Sequence, residues 1–142
     1  MQTKRFSPSD YNKHDPAKHL IIDWFRKLGW QCEVNPNSKG VDLLAISPNG
    51  SNWEIEVEVK KKWLTGVFKY ETLHIAGRKE KFINDHAMHV TINEDHSYFI
   101  LVPTHVLINS TRIKKDTIYT RDETFIELPI NQCKIYQLKE QE

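Results

Sequence analysis

The chain has 142 residues, of which 39% are hydrophobic and 27% charged, and its formal net charge at pH 7 is +1. These proportions are typical of one soluble globular domain, expected over residues 1–142, and they exclude collagen-like, low-complexity and disordered chains. The sequence contains no apolar stretch of membrane-spanning length and no recognisable secretory signal, so we expect a cytoplasmic protein without a membrane partner.

Charge is unevenly distributed along the chain. Residues 41–59 carry four acidic side chains and no basic one, whereas residues 60–81 carry seven basic and two acidic side chains. Carboxylates bind divalent cations, and lysine and arginine neutralise phosphates. An acidic segment that runs directly into a basic one is therefore what a metal-assisted site on a phosphodiester would need.

The first predicted element is a helix. Asp15 is a favourable N-cap, Pro16 suits the first helical position and Gly29 suits the C-terminal cap. Between them, apolar residues recur at the spacing of one buried helical stripe. The pattern predicts a helix from Pro16 to Leu28.

Three strands are predicted next, at Trp30–Val34, Val41–Ile46 and Trp53–Lys61. Pro48-Asn49-Gly50 carries the Asn-Gly signal of a tight hairpin between the second and the third. The third strand alternates strictly, so its apolar residues face one side of the sheet. The opposite face carries the polar residues Glu54, Glu56, Glu58 and Lys60.

The remaining elements are a helix and several strands. The helix is expected at Arg78–Asn84, and a hairpin joins Met88–Ile92 to Tyr98–Val102. Further strands are predicted at Thr117–Tyr119, Thr124–Leu128 and Lys134–Leu138. The order of elements predicts an α/β fold with a mixed central β-sheet flanked by helices.

Asp42, Glu58 and Lys60 are the strongest candidates for chemistry. Asp42 opens an apolar strand, and Glu58 and Lys60 share a face near the end of its hairpin partner. A hairpin brings such positions together, so two carboxylates could share one hard cation beside an ammonium group. The alternative is a plain solvated strand face with Asp42 at its edge. Glu56 is either a further acid near the metal or part of a solvated rim.

At these residues the chain resembles the PD-(D/E)XK nuclease superfamily. The resemblance rests on the order helix, strand, Gly40-Val41-Asp42-Leu43-Leu44, hairpin, Glu56-Val57-Glu58-Val59-Lys60. The stretch from Leu73 to Phe82 also resembles uncharacterised phage and bacterial members. The resemblance implies a restriction-endonuclease-like αβββαβ core.

The same resemblance implies roles for individual residues. Asp42 and Glu58 would bind Mg²⁺ or Mn²⁺, together with the carbonyl of Val59, and Lys60 would lie beside the attacking water. Many members also carry an acid near the start of the first helix, where this chain has Lys18 and His19.

A basic segment follows these acids and is the candidate DNA-binding surface. Its members are Lys61, Lys62, Trp63, Arg78, Lys79 and Lys81. Lysine and arginine would neutralise phosphates, and an exposed ring could stack on an unpaired base. An ordinary solvated surface is the competing interpretation.

The sequence therefore predicts a Mg²⁺-dependent DNA endonuclease, with its preference for DNA shape left open. A homodimer is expected by resemblance, since cutting two strands takes two sites. The alternative is a catalytically inactive nuclease-fold module of phage or mobile-element origin that binds DNA or another protein.

Overall fold

The structure is a computed structural model that describes residues 8–37, 39–115 and 123–138. In these ranges the helices are α1 (Pro8–Lys27) and α2 (Thr104–Asn109), with 3₁₀ helices at Gly77–Phe82 and Ile130–Gln132. The strands are β1 (Gln31–Val34), β2 (Leu43–Ile46), β3 (Asn52–Lys60), β4 (Thr72–Ala76), β5 (Ala87–Asn93), β6 (Tyr98–Val102), β7 (Thr111–Lys115), β8 (Glu123–Pro129) and β9 (Lys134–Gln137). None of the described helices is both long enough and apolar enough to span a membrane.

Two sheets organise these strands. The six-stranded sheet has the order β1-β2-β3-β5-β6-β9, and the three-stranded sheet has the order β4-β8-β7. In the larger sheet β3 and β5 pair in parallel, and every other pair is antiparallel. A parallel pair needs a crossover connection, which here contains β4 and the first 3₁₀ helix. The predicted mixed central sheet is confirmed.

Hydrophobic side chains cover both faces of the larger sheet. On one face α1 packs with Ile21 and Phe25 against Ile55, Val57 and strand β5. On the other face the smaller sheet contributes a second cluster, whose fully buried members include Leu73, Ile75, Ile100, Ile126 and Leu128. All seven residues of β5 are buried as a result. The polar face of β3 lies towards the second cluster and is partly covered by it.

The start of the first helix was predicted wrongly. The helix begins at Pro8, so Pro16 lies in its interior and Asp15 is not its N-cap. Proline lacks an N–H donor and disfavours a helix interior, yet one such position does not end a helix that continues on both sides. Pro8 occupies the first helical position, where proline is most easily accommodated.

Other differences concern short elements. The predicted helix at Arg78–Asn84 is instead a 3₁₀ helix that ends at Phe82, and it buries no residue completely. Strands β4 and β7 and helix α2 were not predicted. The hairpin of β5 and β6 and the strands β8 and β9 are confirmed. The predicted strand at Thr117–Tyr119 lies outside the described residues.

Candidate active site

The β2–β3 hairpin brings Asp42 and Glu56 together. Leu43 pairs with Ile55 in the antiparallel register, which sets Asp42 opposite Glu56 at the start of β2. The backbone N–H of Asp42 donates to Glu56 Oε1 at 3.2 Å, and the N–H of Val57 donates to Asp42 Oδ2 at 2.9 Å. Each carboxylate is therefore oriented by the backbone of the hairpin.

A lysine from another element contacts each of these two carboxylates. Lys18 Nζ, from α1, lies 3.2 Å from Asp42 Oδ1. Lys79 Nζ, from the first 3₁₀ helix, lies 2.7 Å from Glu56 Oε2. The Glu56 side chain is only 7% exposed, whereas the two lysine side chains are 19% and 27% exposed. Glu56 is thus the most buried of the four side chains, and Asp42, at 17% exposed, is partly buried like the two lysines.

The environment of Glu56 makes its negative charge unfavourable. Burial raises the pKa of Glu56, and the nearby negative charge of Asp42 raises it further. The hydrogen bond and the positive charge of Lys79 act in the opposite direction without cancelling the rise. Glu56 is therefore a carboxylate that a cation would stabilise.

Glu58 lies farther along β3 and has different neighbours. Its Oε1 is 3.5 Å from His89 Nε2, and its side chain is 34% exposed. His89 is buried on β5, where Nε2 also lies 3.0 Å from Thr91 Oγ1. Burial raises the pKa of Glu58, but the hydrogen bond to His89 and the charges of His89, Lys60 and Lys79 outweigh burial and lower it overall.

The members of the predicted trio have different contacts in the structure. Asp42 contacts Glu56, whereas Glu58 shares its surroundings with His89 and Lys60. Lys60 ends β3 opposite Asn93 of β5 and is partly buried. The side chain of Val59 packs partly against the α1 cluster. Within the part of the chain that is described, no three His, Cys, Asp or Glu side chains form a group that could hold a metal ion.

The basic segment is divided between two environments. Lys61 and Lys62 are exposed at the turn after β3, and Arg78 and Lys81 are exposed on the 3₁₀ helix. These four side chains lie at the surface, where a phosphate backbone can reach them. Lys79, by contrast, points to Glu56.

Trp63 does not fit its expected role in stacking on bases. Its side chain is 5% exposed, its indole N–H donates to the carbonyl of Gly66 at 2.8 Å, and its ring packs edge-on against Phe68. A tryptophan next to three lysines is a sequence pattern that suggests nucleic-acid binding. In the structure, Trp63 instead packs in the second cluster and holds the loop after β3 against it.

The sequence did not predict that Lys18, Lys79 and His89 contact the acidic side chains. Each lies in a different element and reaches β2 or β3 only through the tertiary fold. A weak signal existed for Lys18, since it stands where the resemblance implied an acid. Nothing in the sequence distinguishes Lys79 from its neighbours Arg78 and Lys81.

A large cavity lies at the other end of the β2–β3 hairpin. It is a groove of about 900 Å³, bordered by Trp30, Trp53 and His86 and by the strand residues between them. A much smaller cavity lies against Glu56 and Lys79, and Glu54 lines both. The carboxylate pair is thus beside, not inside, the main groove.

The likeness of this chain to known proteins lies in its fold. No protein-family model and no curated protein matches it. Among solved structures, it is similar to the bacterial homing endonuclease I-Ssp6803I, with 19% identity, a TM-score of 0.52, and coverage of 88% of this chain and 77% of that one. It is also similar to Hjc, a Holliday junction resolvase from Archaeoglobus fulgidus, with 13% identity, a TM-score of 0.49, and coverage of 82% and 84%. The likeness to the homing endonuclease concerns the fold, and the chain has the restriction-endonuclease-like fold that the sequence resemblance implied.

Proposed function

We propose that this chain is a nuclease that hydrolyses phosphodiester bonds of DNA with Mg²⁺ or Mn²⁺ at Asp42 and Glu56. The observation that carries the proposal is the carboxylate pair itself. Asp42, directly before β2, and Glu56, on β3, are joined by the 3.2 Å hydrogen bond from Asp42 N to Glu56 Oε1, and each is oriented by the hairpin backbone. The fold likeness to a protein named as a homing endonuclease supports the same conclusion.

The residues present fit a hard divalent cation. Mg²⁺ prefers oxygen ligands and is usually held by one or two carboxylates, with waters and substrate phosphate completing its shell. Asp42 and Glu56 would supply the carboxylates, and burial of Glu56 with a raised pKa marks an acid that gains from a cation. Glu58 and the carbonyl of Val59 are the further predicted ligands along β3. When bound, the ion would polarise the phosphate and lower the pKa of a water.

The protein's own groups have separate tasks in this proposal. The N–H groups of Asp42 and Val57 keep the two carboxylates in one orientation before substrate arrives, which avoids reorganisation during the reaction. The ammonium group of Lys60 would stabilise negative charge at the phosphate. Lys61, Lys62, Arg78 and Lys81 would hold the DNA backbone without reading its sequence.

The test is a cleavage assay on a panel of linear, nicked and branched DNAs with Mg²⁺ or Mn²⁺, and with EDTA. Asp42→Asn and Glu56→Gln keep the shape of each side chain and remove its charge. We expect each to reduce cleavage by at least about 100-fold while the protein stays folded, since each removes charge from the proposed metal ligands. Glu71→Gln, an exposed acid in the loop before β4, serves as the control and should cleave at the parental rate.

Two further variants determine how far the site extends along β3. Loss of cleavage in Glu58→Gln and Lys60→Ala would place both residues in the reaction, as the resemblance implies. Full metal-dependent cleavage by both Asp42→Asn and Glu56→Gln would contradict the proposal, because the carboxylate pair would then be dispensable.

A second candidate function is an inactive nuclease-fold module that binds DNA or another protein. The observation that favours it is the pairing of Lys18 with Asp42 and of Lys79 with Glu56, which already balances both acids without a metal. In that case the parent protein would bind DNA from the panel and cleave none of it at any Mg²⁺ or Mn²⁺ concentration.

A further inference from the structure

All four oxygens of the Asp42–Glu56 pair are already engaged. Asp42 Oδ2 accepts from Val57 N and Glu56 Oε1 accepts from Asp42 N, so the backbone holds one oxygen of each carboxylate. The other two oxygens are Asp42 Oδ1, 3.2 Å from Lys18 Nζ, and Glu56 Oε2, 2.7 Å from Lys79 Nζ. A cation that binds this pair would therefore have to share these oxygens with the two ammonium groups or displace them.

The charges of the four side chains balance. Two carboxylates and two ammonium groups leave these four side chains without net charge, so together they offer a divalent cation little net attraction. Two ammonium groups within hydrogen-bonding distance of the carboxylates would also repel such a cation directly. The attraction returns only when the lysines leave.

The two lysine side chains have more freedom to move than the carboxylates. Lys18 and Lys79 have long, flexible stems and side chains that are 19% and 27% exposed. Asp42 and Glu56 are held by backbone donors within the hairpin. The phosphate of a DNA backbone offers the lysines an alternative anion at the site where the reaction would occur.

We propose that Lys18 and Lys79 are internal counter-ions that occupy the cation-binding oxygens in the free protein and move to a DNA phosphate when the substrate binds. The inference rests on the proposed function. If the lysines exchange in this way, DNA and the divalent cation bind cooperatively. The coupling is reciprocal: DNA raises the affinity for the cation by the same factor by which the cation raises the affinity for DNA.

The first experiment uses the unmodified chain. Ca²⁺ serves as the probe cation and is titrated by calorimetry into the protein alone and into the protein with a DNA of the panel that it binds. We expect the Ca²⁺ affinity to rise by about tenfold or more with DNA, within the usual range for coupled sites. Equal Ca²⁺ affinity with and without DNA, or no Ca²⁺ binding in either case, would overturn the inference.

The second experiment removes one counter-ion at a time. Lys18→Met and Lys79→Met keep the apolar stem and remove the charge. Each should raise the Ca²⁺ affinity of the DNA-free protein by about tenfold, and each should weaken DNA binding measured in EDTA. Lys27→Met at the exposed end of α1 and Lys134→Met on β9 are matched controls that should leave the Ca²⁺ affinity unchanged. Unchanged Ca²⁺ affinity in folded Lys18→Met and Lys79→Met would also overturn the inference.

The two proposals fail in different ways. A chain that cleaves DNA through Asp42 and Glu56, but whose Ca²⁺ affinity does not depend on DNA, is a nuclease without the counter-ion exchange. A chain that never cleaves DNA, yet binds Ca²⁺ more tightly with DNA and also in the DNA-free Lys18→Met and Lys79→Met variants, keeps the exchange and loses the proposed catalysis. If one methionine variant does not fold, the other variant and the comparison on the unmodified chain together give the decision.

Discussion

Glu56 and Glu58 are two residues apart on β3 and experience opposite electrostatic effects. Burial dominates for Glu56 and raises its pKa, whereas contacts with His89 and nearby lysines dominate for Glu58 and lower its pKa. A raised pKa means that ionisation costs folding stability, and a lowered pKa means that ionisation contributes to it. The two acids should therefore have opposite effects on stability as pH changes.

This difference predicts the pH dependence of two variants. An ordinary glutamate has a pKa of about 4.3. The pKa of Glu56 in the folded protein lies above the ordinary value. As pH rises between these two pKa values, the free energy of unfolding of the parent falls, whereas that of Glu56→Gln does not show this fall. As pH falls from the ordinary value through the folded pKa of Glu58, the parent loses a stabilising charge that Glu58→Gln already lacks. Unfolding free energies measured from pH 3 to 8 should show the two variants diverging from the parent with opposite signs.

The magnitudes in that experiment depend on exposure. The Glu58 side chain is 34% exposed, so solvent screens its interaction with His89 and we expect an effect below about 1 kcal/mol. Glu71→Gln provides the baseline for an exposed acid. Parallel pH profiles for Glu56→Gln and Glu58→Gln would show that the two acids share one environment.

Strand β5 is the element that builds the back of the site. It is parallel to β3, so His89, Thr91 and Asn93 lie opposite Glu56, Glu58 and Lys60 in register. These three polar residues are buried and have partners: His89 is near Thr91, and the Asn93 side chain bonds to Ser97 and to the N–H of Tyr98. A buried polar strand costs stability unless its groups are paired, and here they are.

Helix α1 yields a direct test at Pro16. In the helix interior Pro16 lacks a hydrogen bond that alanine would restore, so Pro16→Ala should increase the free energy of unfolding by about 1–3 kcal/mol. Pro8→Ala, at the first helical position, is the control and should change it little. Denaturant unfolding monitored by circular dichroism measures both. A neutral or destabilising Pro16→Ala would instead agree with a helix that begins at Pro16.

Across the whole molecule, the site lies where three parts of the fold meet. The hairpin supplies Asp42 and Glu56. Helix α1, which packs on one face of the larger sheet, supplies Lys18, and the 3₁₀ helix next to the smaller sheet supplies Lys79. Exposed basic side chains on the turn after β3 and on the same 3₁₀ helix extend the positive surface beyond it. This arrangement would let one DNA backbone contact the basic surface and the acids together.

The basic surface predicts a change in the salt dependence of DNA binding. Lys62, Arg78 and Lys81 are exposed, and a triple alanine variant should reduce the slope of log K against log salt by roughly 0.9 for each phosphate that these side chains neutralise on duplex DNA. A control triple variant at Lys27, Lys39 and Lys134, which are also exposed, keeps the change in net charge the same. Equal slopes for the two variants would show that the basic surface does not contact phosphates.

Much of the fold follows from local sequence patterns. The hairpin from β2 to β3 was predictable because an Asn-Gly turn separates two strands with clear hydrophobic patterns, and the β5–β6 hairpin was predictable for a similar reason. The helix start was not, since Pro16 and Asp15 match a helix start so well that the pattern favours the wrong boundary. Polar segments such as β7 have too few apolar residues to show the hydrophobic alternation of a strand, so the sequence alone does not reveal them.

At the site, local order was enough to predict that Glu54, Glu56 and Glu58 share one face of β3 and that the hairpin brings Asp42 towards that strand, because strand alternation and the hairpin turn depend on neighbouring residues. It was not enough to predict that Asp42 contacts Glu56 instead of Glu58, since that depends on the register of one residue pair. The pairing of Lys18 and Lys79 with the acids and the burial of Trp63 follow from the packing of the complete fold. Those contacts join segments far apart in the chain, and their positions are set by how the helix and the two sheets pack.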